Sequence, residues 1–383
     1  QTYFEYEKKV EVFEDGTSFC QNIGLTELPN SLSEEVWAGT RFNDHTIQNL
    51  AENNQDYLGL SIDGGGMRGY MPAIWLDYLQ DIINYEFGSG HFYNIFDCMG
   101  GTSIGGILSL GLSSGLSTSE LVSIFKDEGC SIFPPERKEH FKLPWELLNK
   151  ILWSPIDIFN AINPCASSLY NSLPLENLLQ KKFQDNRVSH LRTEILVTSF
   201  KNNGDPVKFT KDSVSEVPIW EIARSTSAAP IYFPAHKIKI NGIEETFLDG
   251  GPWCNSPTLH VASHIIKKFD ADKSKVRILS LGTGKSPIFV PDKGAALYLV
   301  SPIISASIGS NTQQVHLDME EIYGKNYYRI NPELEKEISL SDVSPENIRT
   351  LERKAGLREN KEKLNKFVKD NRDVIRHKLE RKS

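Results

Sequence analysis

Residues 57–69, YLGLSIDGGGMRG, and 93–112, YNIFDCMGGTSIGGILSLGL, decide the fold. Each runs from a short apolar segment through a glycine-rich turn toward a helix. In the first, 57–62 reads as a buried strand, DGGG as the turn, and 71–87 as a helix in which Pro72 suits the first turn. In the second, 93–99 is apolar enough for a buried strand, GGTSIGG makes the turn, and 107–112 opens another helix. Repeated strand-turn-helix units predict an α/β fold with a mostly parallel sheet covered by helices. Residues 194–200 and 275–281 are further candidate central strands, and Asn241-Gly242 within KIKINGIEETFLDGG (237–251) marks a hairpin.

On either side of this frame the pattern changes. Residues 1–56 are polar and turn-rich and read as an N-terminal extension, regulatory or packed on the main body, which spans 57–348. Within the body, 125–166 sets Pro134, Pro135, Pro144, Pro155 and Pro164 among large apolar residues such as Phe141, Trp145 and Trp153. Such an insertion is ordinary packing or, over a lipid site, a lid or acyl-chain wall. Residues 349–383 carry 13 Lys or Arg against 6 Asp or Glu, while the whole chain is at -8, so the remainder is at -15. Leu364, Val368, Ile375 and Leu379 recur at helical spacing there, predicting a basic amphipathic helix over 359–382 that either packs on the body or meets anionic lipid.

Composition narrows the function. With 39% hydrophobic and 24% charged residues in 383, the chain is a folded protein, and no apolar run approaches the 18 or so residues of a spanning helix. Any membrane contact is expected to be peripheral. The acidic body argues against a nucleic-acid polymer as partner. Cys20, Cys98, Cys130, Cys165 and Cys254 are sparse, odd in number and form no C-x-x-C pair, which reads as reduced thiols in a cytoplasmic protein. The numbering starts at Gln1, so removal of a leader ahead of it stays open.

Gly101-Thr102-Ser103-Ile104-Gly105 matches G-x-S-x-G in the strand-to-helix setting of a nucleophile elbow. The sharp turn strains the serine backbone, and glycines at 101 and 105 remove the side chains that would collide. Asp63-Gly64-Gly65-Gly66-Met67-Arg68-Gly69 offers backbone amides to an anion, as an ester's tetrahedral intermediate requires. Arg68 either adds positive potential there or anchors the loop by a salt bridge. The same residues satisfy G-x-G-x-x-G through Gly64, Gly66 and Gly69, but a dinucleotide site predicts an acidic residue after the next strand, where the serine turn stands instead. Asp249-Gly250-Gly251 closes a strand and would place a carboxylate at the sheet edge, as a base or as an acidic turn residue.

DGGGMRG, GTSIGG, ARSTSAAPIYFP (223–234) and DGG, in this order and spacing, resemble the patatin-like family of lipid acyl hydrolases. The resemblance implies the family's three-layer α/β fold, Ser103 as nucleophile, Asp249 as its partner in a Ser-Asp dyad without histidine, and Gly64, Gly65 and Gly66 with Arg68 as the oxyanion hole. It implies phospholipase A activity with no cofactor and no metal. His260, His264, His316 and His377 all follow Asp249, as a Ser-Asp-His order would require, but HVASH lacks the central Glu of H-E-x-x-H and shows no third ligand. Some patatin-like proteins of this size are effectors that degrade membranes once a protein partner or a cyclic nucleotide activates them, including in antiphage defence. The resemblance therefore leaves room for such an activating ligand, for a protein partner, for oligomers, and for action at a phospholipid membrane surface. The opposing reading is a non-catalytic lipid- or nucleotide-binding module that retains the glycine loops.

Overall fold

A computed structural model describes residues 9–12, 18–21, 55–134, 168–287 and 296–382. The chain divides into two units, 1–55 and 56–383. In the first, strands β1 (Lys9–Val12) and β2 (Ser18–Gln21) pair antiparallel. The rest of 1–54, and 135–166 of the proline-rich insertion, lie outside the described residues.

The second unit is built on an eight-stranded sheet. Its strands are β3 (Tyr57–Ile62), β4 (Cys98–Thr102), β5 (Glu194–Lys201), β6 (Pro206–Phe209), β7 (His236–Ile240), β8 (Ile243–Asp249), β9 (Val276–Leu281) and β10 (Tyr327–Ile330). The order is β10-β9-β3-β4-β5-β8-β7, with β6 also paired to β5. The pairs from β10 to β5 are parallel, and those of β5 with β8 and of β8 with β7 are antiparallel. The β7–β8 hairpin turns at Asn241 and Gly242, with φ of 51° and 85°, the left-handed pair that a two-residue hairpin turn demands.

β3 shows why the sheet is covered on both faces. Alternate residues point to opposite sides. Leu58, Leu60 and Ile62 enter the main core, shared with Trp75 and Leu76 of α1 (Tyr70–Phe87) and Leu108 and Leu110 of α2 (Ile104–Ser114). Tyr57 enters a second core with Val261 and Ile265 of α5 and Met319 of α6. Between α2 and these come α3 (Leu173–Phe183) and α4 (Ile219–Thr226); α5 is Thr258–Phe269 and α6 is Ala296–Tyr323. The result is the mixed, mostly parallel sheet flanked by helices that the sequence predicts.

Two expectations need correction. Residues 92–95 form one helical turn instead of the start of a strand, burying Phe92, Tyr93 and Ile95, and β4 begins only at Cys98. That strand contains Gly100 because α5 packs tightly on it: a Cβ there would meet Val261 at 2.3 Å. The C-terminal segment is not one helix. It is α7 (Pro345–Ala355), α8 (Arg358–Asp370) and α9 (Arg372–Lys382), broken at Asn371, whose side chain donates to the Phe367 carbonyl at 2.7 Å. Leu364, Phe367, Val368 and Ile375 are buried in the main core.

Candidate active site

The ends of β3, β4 and β8 meet at one cavity of about 970 Å³, lined by Gly64, Gly65, Gly66, Ser103 and Asp249. Ser103 stands between β4 and α2 with φ 55° and ψ -126°, a strained conformation for a side-chain-bearing residue. Glycines make the turn fit: a Cβ on Gly101 would lie 2.1 Å from the Gly105 carbonyl carbon, and one on Gly105 would lie 2.2 Å from the Ile62 oxygen. Thr226, within the ARSTSAAPIYFP stretch, accepts from the Ser103 amide at 2.8 Å and donates to the Thr198 carbonyl at 2.7 Å. Sequence reasoning missed this clamp, because nothing in a lone threonine announces a partner 123 residues away.

Asp249 closes β8 opposite Ser199 and is only 4% exposed. Its carboxylate accepts the Gly251 amide at 2.7 Å, and the Ser103 side chain stands near enough to favour its charged form. Burial pushes its pKa from the usual 3.8 up to about 6, against the pull of the neighbouring Ser103 side chain and the Gly251 amide. None of the four histidines pairs with Asp249, although His316 lines the same cavity. His260 packs on Trp253, His264 on Glu194 at 3.4 Å and His316 on Glu320 at 3.7 Å, while His377 is exposed on α9. Among the described residues, no histidine hydrogen-bonds the Asp249 carboxylate, which accepts from the Gly251 amide.

The glycine loop divides its amides. Gly64 donates to the Asn255 carbonyl at 3.1 Å, so its N–H is committed within the protein. The amides of Gly65 and Gly66 take no acceptor among the described residues. The amide of Ile104, in the first turn of α2, is likewise without one, as helix starts require. G-x-S-x-G carries that signal, since the residue after the serine is a usual oxyanion donor. Arg68 donates to Ser286 at 2.8 Å and, among the described residues, has no carboxylate within ion-pair distance. Burial lowers its pKa.

The cavity has two characters. Its lining includes apolar residues, Ile107, Phe125, Leu175, Leu178 and Phe233 among them, and polar ones, Asn255, Thr283, Thr312 and His316. Among the described residues, no group of three His, Cys, Asp or Glu is placed to hold a metal ion, and no helix is long and apolar enough to cross a membrane. Cys98, Cys130 and Cys254 are free thiols.

A patatin-like phospholipase family model matches residues 60–262. Patatin group M-3 of Solanum tuberosum is 30% identical over 256 residues, which is 60% of this chain and 61% of that protein. Patatin-17 of Solanum cardiophyllum is 31% identical over 268 residues, 64% of each chain. The match thus spans about three fifths of the length of these relatives. Among solved structures, VipD of Legionella pneumophila is similar at 12% identity and a TM-score of 0.40, covering 96% of this chain and 71% of that one. ExoU of Pseudomonas aeruginosa, solved with SpcU, is similar at 13% identity and a TM-score of 0.32, covering 71% and 54%. With the family model matching more than half of its residues, this chain belongs to the patatin-like phospholipase family.

Proposed function

We propose that the protein is a serine lipid acyl hydrolase of the phospholipase A type, working at the surface of phospholipid membranes. The observation that carries this reading is Ser103 on its strained turn, in one cavity with the buried carboxylate of Asp249, whose pKa is raised to about 6, and with bare amides. A base of that strength is ionised at neutral pH yet far more basic than an exposed aspartate. Ser103 Oγ attacks the ester carbonyl carbon as its proton passes to Asp249. The carbonyl oxygen becomes an oxyanion, received by the amides of Gly65, Gly66 and Ile104. Collapse breaks the bond to the alkoxy oxygen, which leaves with the proton from Asp249, and the acyl group remains on Ser103. Water, deprotonated by the same carboxylate, then releases a fatty acid. The apolar lining of the cavity suits an acyl chain, and its volume suits a ligand of that size.

The test is covalent labelling with a fluorophosphonate, read by peptide mapping. The wild-type protein should carry the label on Ser103, and Ser103→Ala should be unlabelled, folded and inert on a short-chain ester. Turnover retained in Ser103→Ala would sink the assignment.

A further inference from the structure

We propose that Arg329, on β10 and outside the stretch matched to the family, is a positioning residue that fixes the oxyanion loop through Asp63; the inference rests on the hydrolase reading above. The loop cannot hold itself, because Gly64, Gly65 and Gly66 have no side chains to pack. Asp63 is the last side chain before them. Both of its carboxylate oxygens are taken by Arg329: Nη1 donates to Oδ1 at 3.0 Å and Nη2 to Oδ2. The Asp63 side chain is 2% exposed and that of Arg329 7%.

Two parallel hydrogen bonds fix the carboxylate plane, which a single point charge does not. Arg329 is itself held, donating to Ser280 Oγ at 2.7 Å, and Ser280 bonds the buried Thr258 hydroxyl, on which Ser61 and Ser256 also converge, each contact 2.9 Å. Its Nε is buried with no partner, so the guanidinium is oriented for the carboxylate even with one donor unsatisfied. Two residues along, Asn331 Oδ1 accepts from the Gly284 amide at 2.8 Å, and neighbouring Thr283 donates to the Gly64 carbonyl at 2.7 Å. The end of β10 therefore steadies the loop from two sides.

A buried ion pair is a poor route to stability, since apolar residues of the same volume fold a protein as well. What apolar residues cannot supply is orientation, and amides that receive an oxyanion must be held to within about 0.5 Å. The pair thus links the C-terminal part of the chain to the transition state.

The test uses the full chain. Arg329→Lys keeps a cation beside Asp63 but loses the two-point contact. Expected are a near-native melting curve, KM on a short-chain ester within about threefold of wild type, and kcat and the rate of fluorophosphonate labelling at Ser103 both reduced by about tenfold or more. In Arg329→Gly, millimolar guanidinium should restore part of the labelling rate, and ammonium should not. A folded Arg329→Lys with wild-type kcat and labelling rate overturns the proposal. Should the lysine variant fail to fold, Asp63→Asn combined with Arg329→Gln removes both charges; a folded double variant with wild-type kcat overturns it, and one with reduced kcat and unchanged KM supports it. Wild-type labelling in the same series tests the hydrolase reading separately: a wild type that takes no label sinks that reading, whereas a labelled wild type matched by the lysine variant sinks only this one.

Discussion

The turns after β3 and β4 lie side by side in one sheet and share a plan of strand, glycines and helix, yet they are held in opposite ways. The β4 turn is held mostly from within: Gly101 and Gly105 approach each other so closely that any side chain would collide with backbone, and the strain at Ser103 follows. The β3 turn is held from outside. Leu340 accepts from the Met67 amide at 2.8 Å, Thr283 donates to Gly64, and Arg329 grips Asp63. A turn that presents a side chain can be shaped by local sterics, whereas one that presents bare amides needs distant residues to aim them. The substitutions below act on the serine turn, on the amide turn, and on neither.

The largest effect is expected at Asp249, which acts on the serine turn. Asp249→Asn removes the proton acceptor and should lower kcat by about 10² to 10⁴ while sparing the fold. In the wild type, kcat/KM should rise with pH to a plateau above about 6, because the carboxylate must be ionised to act. Stability runs the other way. Folding raises this pKa from 3.8, so the group's stabilising contribution is full below that value and is lost as pH rises through about 6. Asp249→Asn should therefore melt higher than wild type at pH 7, by free energy on the order of 3 kcal/mol at most, and show no such advantage at pH 4. A variant less stable than wild type at pH 7 would contradict this.

A smaller effect should come from the amide turn. Gly65 has φ of 171°, extended backbone open to any residue, so the obstacle to a side chain is steric alone. A Cβ there would lie 2.4 Å from Thr283 Oγ1 and must displace the loop. Gly65→Val is expected to lower kcat by about tenfold to a hundredfold with little change in KM, since the amides act mainly in the transition state. Equal loss of affinity for an unreactive ether analogue would show that the loop binds substrate instead.

The same contrast explains what could be read in the sequence. β3 stands at the predicted 57–62, and the serine turn and the Asn241-Gly242 hairpin fall where their residues indicate, because each is decided by neighbours in the chain. β4 was displaced because glycines of a central strand look like a turn, and only the packing of α5 shows why they are there. Of the loop, the glycines are legible. The commitment of the Gly64 amide, the Thr226 clamp and the grip of Arg329 depend on contacts across 191, 123 and 266 residues, for which one sequence carries no signal.

The smallest effect is expected from cations that touch neither turn. The basic pattern over 359–382 predicts a surface-seeking helix, but such a helix must offer its apolar face to lipid. Here Leu364, Val368 and Ile375 are buried in the core, and Lys378 is itself buried, paired at 2.7 Å with both oxygens of Asp97. What remains outward is charge, with Lys363 and Lys369 exposed on α8. A cation lying against anionic lipid contributes about 1 kcal/mol, roughly fivefold in binding, and one that faces water contributes nothing. With the apolar face occupied, Lys363→Gln combined with Lys369→Gln should leave both soluble-ester turnover and hydrolysis of anionic vesicles within about twofold of wild type at physiological salt, where surface charge is screened beyond about 8 Å. A loss of fivefold or more confined to vesicles and abolished by added salt would instead show that α8 faces the membrane and brings both turns to their substrate.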